Sequence, residues 1–117
     1  MTKETDSTTQ TTAAILDELF GVIESRRGGD SDASYTAKLL ARGTPKIAQK
    51  VGEEAVEAVI EAMKADGGKL AEESADLLYH LLVLWADKDV RPDEVWGVLA
   101  ERLGISGIEE KNLREKD

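Results

Sequence analysis

Two successive stretches, residues 47–63 and about 69–87, carry more apolar residues at helical spacing than a surface helix needs. On an ideal wheel of about 100° per residue, Ile47, Val51, Ala55, Val56, Ala58, Val59, Ile60, Ala62 and Met63 cover roughly 220°. The remaining arc holds Lys50, Glu53, Glu54, Glu57 and Glu61. In the second stretch Leu77, Leu78, Leu81, Leu82, Val83, Leu84 and Trp85 surround the helix almost completely, leaving Glu73, Asp76, His80 and Asp87 on one narrow stripe. A helix apolar on nearly all sides is a buried helix. Covered on both flanks, the carboxylates of the two stretches line a crevice, with Glu73 and Asp76 partly buried.

The rest of the chain reads as further helices. Ile15, Leu16, Leu19, Phe20 and Ile23 recur at helical spacing and predict a helix over 13–26, followed by a turn in the Gly28–Ser34 segment. A short helix follows over Tyr35–Arg42 and stops at Gly43. Thr44 reads as an N-cap with Pro45 at the first helical position, and Gly67-Gly68 separates the two acidic helices. Pro92 opens a last helix that Gly104 closes. No alternation of period two competes, so the chain is all-α, a bundle of four to five helices. One domain is expected over 13–104, with polar tails over 1–12 and 105–117. With 117 residues, the apolar arcs exceed what one small core can absorb, which predicts completion of the bundle by dimerisation.

Composition narrows the function. Twenty-four acidic against fifteen basic residues give a net charge of -9, which argues against a nucleic-acid or anionic-membrane binder. The longest apolar run, Leu81–Ala86, is too short to cross a bilayer, and the polar N-terminus is no signal peptide; a cytoplasmic protein is expected. With no Cys and one His, zinc-thiolate sites, thiol nucleophiles and His-rich metal sites are excluded. Glu54 and Glu57 on one helix facing Glu73 and Asp76 on the other place four oxygen donors within reach of a hard cation such as Mg²⁺, Mn²⁺ or Ca²⁺. The competing reading is a solvated acidic face.

The runs KVGEEAVEAVIEA and EESADLLYHLLVL, with the RR pair and the SYTAKLLARG segment before them, resemble the phosphoribosyl-ATP pyrophosphohydrolases, histidine-biosynthesis members of the MazG-like all-α pyrophosphatases. The resemblance spans roughly residues 15 to 103. The superfamily pattern Glu-Glu-x-x-Glu followed by Glu-x-x-Asp falls on Glu53, Glu54, Glu57, Glu73 and Asp76. It implies Mg²⁺-dependent hydrolysis of the α,β-phosphoanhydride of phosphoribosyl-ATP to phosphoribosyl-AMP and pyrophosphate, with Mn²⁺ as an alternative metal. Metal ligands would be Glu54, Glu57, Glu73 and Asp76, and either Glu53 or Glu54 would orient the attacking water or accept its proton.

Cations must meet the phosphates, and Lys50, Lys46, Arg27 and Lys38 are the candidates, with Arg26 and Arg42 behind them. Each also reads as an ordinary surface charge, and Lys50 as an intrahelical partner of Glu54. Ser34, Tyr35 and Thr36 match the family's SYT segment, which implies substrate contact; Ser34 reads equally as a helix cap. His80 either touches substrate or is a core histidine with satisfied nitrogens. Two rivals remain: a MazG-like house-cleaning nucleoside triphosphate pyrophosphatase, and a helical interaction module without catalysis. Without Cys, the chain is expected to act apart from the cyclohydrolase to which this activity is fused in many organisms. Its partners are expected to be its small-molecule substrate and a second copy of itself.

Overall fold

The computed structural model describes residues 11–104, and both predicted tails, except residues 11 and 12, lie outside that range. Within it are five helices and no strands: α1 (Ile15–Ser25), α2 (Tyr35–Arg42), α3 (Thr44–Ala62), α4 (Leu70–Asp87) and α5 (Pro92–Leu103). The core is formed by Phe20 and Ile23 of α1, Leu39 of α2, Ile47 of α3, and Leu82, Val83 and Ala86 of α4. α4 is therefore the central element, and α1, α2 and α3 pack on it.

α3 and α4 form an antiparallel hairpin whose register is fixed at both ends. At the open end the Thr44 hydroxyl donates to Asp87 Oδ2. At the turn the buried Glu61 carboxylate accepts the Lys69 N–H at 2.8 Å and the Lys64 ammonium at 3.0 Å. These bonds hold the Glu61 carboxyl below the ordinary glutamate value, the Lys69 amide contributing most. Gly68 is required beside it: its φ is 49°, and a Cβ there would fall 2.4 Å from Glu61 Oε1.

Thr44 is not the cap expected from sequence. Gly43 occupies that position with φ 90° and ψ 179°, and Thr44 and Pro45 are the first two helical residues. The chain turns from α2 into α3 through this single residue, in a backbone conformation that excludes a side chain, and the Thr44 hydroxyl is spent on Asp87 instead. Ser34 does cap α2, accepting the Ala37 N–H at 3.1 Å.

α5 is attached lightly. Arg91 and Glu94 close its first turn, Trp96 meets Trp85 edge to face at 5.9 Å, and the Trp96 indole donates to Asp17 Oδ1 at 3.2 Å. The apolar arcs of the hairpin are only partly covered by the chain itself. On α3 only Ile47 and Glu61 are buried, whereas Val56, Val59, Ile60 and Met63 are 48 to 81% exposed. On α4 Leu78 is exposed although Leu82, Val83 and Ala86 are sealed.

The Gly43 geometry yields a test. Gly43→Ala forces a Cβ into a backbone region open essentially to glycine, so it should cost about 1–3 kcal/mol of stability in chemical denaturation. An unchanged midpoint would show that the α2–α3 turn can relax without cost.

Candidate active site

The hairpin register carries the acidic stripes of α3 and α4 past one another near mid-length. Carboxylate oxygens of Glu54, Glu73 and Asp76 lie within 4.8 Å of one another. Glu54 and Glu73 are half-buried, while Asp76 is exposed, contrary to the partial burial expected for it. Glu57 is exposed and stands outside this trio, although its charge reaches Glu73. Desolvation first, then a hydrogen bond with Glu54 and the charges of Glu54, Asp76 and Glu57, hold the Glu73 carboxyl above the ordinary glutamate value. Like charges have been brought together here, with Lys50 at the edge of the group.

Lys50 borders the trio. Its ammonium lies 3.3 Å from Glu53 and 4.0 Å from Glu54, so the intrahelical pairing expected with Glu54 is shared, with Glu53 the nearer partner. The hydrogen bond to Glu53, then proximity to Tyr35, raise the Lys50 pKa against the opposing effect of burial. Glu53 itself is exposed and accepts from Gln49 at 2.8 Å; that bond and Lys50 hold its carboxyl below the ordinary value.

On its other side Lys50 joins a pocket of about 230 Å³ lined by Tyr35, Lys38, Leu39, Arg42, Lys46 and Lys50. Four cations thus line one cavity beside the acidic trio. Arg42, only a secondary candidate from sequence, belongs to it. The signal was present in the spacing: Lys38 and Arg42 lie four residues apart on α2, and Lys46 and Lys50 four apart on α3. The Gly43 turn brings the two pairs together.

The SYT segment divides its labour. Ser34 caps α2, and the Thr36 hydroxyl pairs with the Tyr79 hydroxyl. Tyr35 lines the pocket, stacks on Tyr79 at 6.3 Å, and places its hydroxyl 3.1 Å from His80 Nε2. His80 is buried, with Nδ1 2.8 Å from the Asp76 carbonyl. Arg27 is not part of the pocket lining. Its guanidinium pairs with Glu24 at 3.4 Å and donates to the Ala86 carbonyl, tying the end of α1 to the end of α4.

The phosphoribosyl-ATP pyrophosphohydrolase family profile matches residues 16–103. A phosphoribosyl-ATP pyrophosphatase of Azospirillum brasilense is 61% identical, over 88% of this chain and 93% of its own length. The one from Paramagnetospirillum magneticum is 62% identical over 87% of this chain and 94% of its own, and that of Ruegeria pomeroyi 55% identical over 88% and 98%. The fold and these matches define an all-α hydrolase of phosphoanhydrides, MazG-like in architecture. Within that class the chain belongs to the phosphoribosyl-ATP pyrophosphohydrolase family.

The raised Glu73 pKa sets a sign for stability. Folded Glu73 keeps a proton that the unfolded chain releases above about 4.5, so this group weakens the fold as pH rises through its folded value. Glu73→Gln should therefore melt at a higher temperature than the parent at neutral pH without added metal, the gain disappearing below about 4.5. Equal melting at neutral pH would mean that the trio is not self-repulsive.

Proposed function

We propose that this chain hydrolyses the α,β-phosphoanhydride of phosphoribosyl-ATP, giving phosphoribosyl-AMP and pyrophosphate in the second step of histidine biosynthesis, in the cytoplasm. What carries the reading is the adjacency, through Lys50, of three convergent carboxylates and a four-cation pocket in a member of this family.

The donor set fits a hard divalent cation. Its ligand atoms are oxygens only, they converge from two helices, and their mutual repulsion is the kind that Mg²⁺ relieves. Glu54, Glu57, Glu73 and Asp76 would hold Mg²⁺, or Mn²⁺ in its place. When bound, the ion supplies neutralisation of the phosphoanhydride charge and a more acidic water.

The chain's own residues supply the rest. Lys38, Arg42, Lys46 and Lys50 hold phosphate oxygens, and Lys50 aligns the phosphate chain against the carboxylates because it borders both. Glu53 is occupied by Gln49 and Lys50, so its part is to hold Lys50. Glu54, half-buried within the trio, orients the attacking water or accepts its proton. Tyr35 contacts substrate from the pocket wall.

We also propose that the functional species is a homodimer. Val56, Val59, Ile60 and Met63 form a stripe at helical spacing that a second copy would cover. Light scattering at low micromolar concentration should give twice the chain mass, and Ile60→Asp should shift it to the monomer; an active monomeric parent would overturn the proposal.

Mutation of the carboxylates tests the site. Glu57→Gln and Asp76→Asn each keep the size but remove an anionic donor, so pyrophosphate release in limiting Mg²⁺ should fall by orders of magnitude while folding survives. Added Mg²⁺ should raise the melting temperature of the parent and leave both variants unmoved. Parent rates in both would refute the metal assignment. A panel of nucleoside triphosphates hydrolysed faster than phosphoribosyl-ATP would favour the house-cleaning activity instead.

A further inference from the structure

The buried histidine fixes the direction of a hydrogen bond at the pocket wall. His80 Nδ1 faces the Asp76 carbonyl at 2.8 Å, and a carbonyl oxygen can only accept, so Nδ1 carries the ring proton. In the neutral imidazole the lone pair then lies on Nε2, 3.1 Å from the Tyr35 hydroxyl. Tyr35 must donate there. No carboxylate takes a hydrogen bond from either ring nitrogen among the described residues. The phenol is further held by stacking on Tyr79, whose own hydroxyl is engaged by Thr36. With its one proton committed, the Tyr35 oxygen offers the pocket lone pairs only.

A phosphate oxygen also brings lone pairs only, and the four cations of the same pocket already provide donors for it. We propose that Tyr35 accepts a hydrogen bond from a ribose hydroxyl of the substrate, and that His80 is a positioning residue that sets Tyr35 in this accepting state. The inference rests on the phosphoribosyl-ATP reading above. It gives the SYT segment a part in recognising the sugar, separate from the phosphate contacts of the lysines and Arg42.

The chain has a single histidine, so the tautomer can be read directly. In ¹⁵N-correlated NMR of the full chain, His80 should show a protonated Nδ1 and a lone-pair Nε2, with Nε2 shifting in Tyr35→Phe. A protonated Nε2 overturns the proposal, whatever the substrate proves to be. Kinetics supply the second arm. Tyr35→Phe and His80→Asn, which keeps a donor for the Asp76 carbonyl but withdraws the acceptor from Tyr35, should each raise KM for phosphoribosyl-ATP about tenfold, with kcat changed less than about threefold. The double variant should be no worse than either single one, and His80→Gln, whose amide oxygen can replace Nε2, should recover most of the loss. Inhibition by pyrophosphate at saturating Mg²⁺ should be unchanged in all of them, since pyrophosphate has no sugar.

Weakened pyrophosphate inhibition in Tyr35→Phe would assign Tyr35 to phosphate instead. Additive losses, a failed rescue by His80→Gln, or parent KM in Tyr35→Phe would each overturn the proposal. A parent with the expected tautomer but no activity on phosphoribosyl-ATP would refute the substrate reading and the ribose contact together, leaving only the His80–Tyr35 bond.

Discussion

Everything at the site depends on the register of one helical hairpin. A helix pair can slide or rotate past its partner at little cost if only apolar side chains meet, because such contacts are not directional. Here two polar contacts pin the ends: Thr44 on Asp87, and the Glu61 carboxylate on the Lys69 amide. The turn residue opposite Glu61 has to lack a side chain, which is why Gly68 stands there. With both ends held, Glu54 has no choice but to meet Glu73 and Asp76. The electrostatic strain of that meeting is borne by contacts one to three helical turns away from it.

Charge is arranged as a boundary. An acidic chain that must take a polyphosphate needs its cations gathered and its acids masked, and the two sets here are neighbours on α3 with Lys50 between them. A cation placed among carboxylates limits their repulsion on one side, while the other side remains suited to a divalent ion. Glu53 pairs with Lys50 at that boundary and accepts a hydrogen bond from Gln49.

Much of this was legible in the residues. Gly43, Gly67-Gly68 and Pro92 mark breaks that the structure has at those places, and the spacing of the acids put Glu54 on one stripe and Glu73 and Asp76 on another, which the hairpin brings together. What periodicity could not say is who covers an apolar arc. It reports the wish of Val59 or Ile60 to leave water, not whether the chain or a second copy provides the cover. For the same reason Asp76 and Glu57 are more exposed than the wheel suggests. Long side chains were the other blind spot. Arg27 reaches a carbonyl of α4 across 59 positions of sequence, which no local pattern encodes. Arg42 was obscured because Lys46 and Lys50, which share its pocket, lie beyond the break at Gly43, and a spacing read along one helix does not cross a break. His80 is the core histidine with satisfied nitrogens, one of which meets Tyr35 at the pocket wall.

The tyrosines and tryptophans fall into two separate pairs. Both tryptophans of the chain, Trp85 and Trp96, are in contact with each other where α5 rests on α4, and both tyrosines, Tyr35 and Tyr79, stack at the cation-lined pocket. Indole fluorescence excited beyond the phenol band therefore senses the contact of α5 with α4. The protein carries two built-in chromophore pairs in different places, the indoles where its last helix rests on α4 and the phenols at the cation-lined pocket.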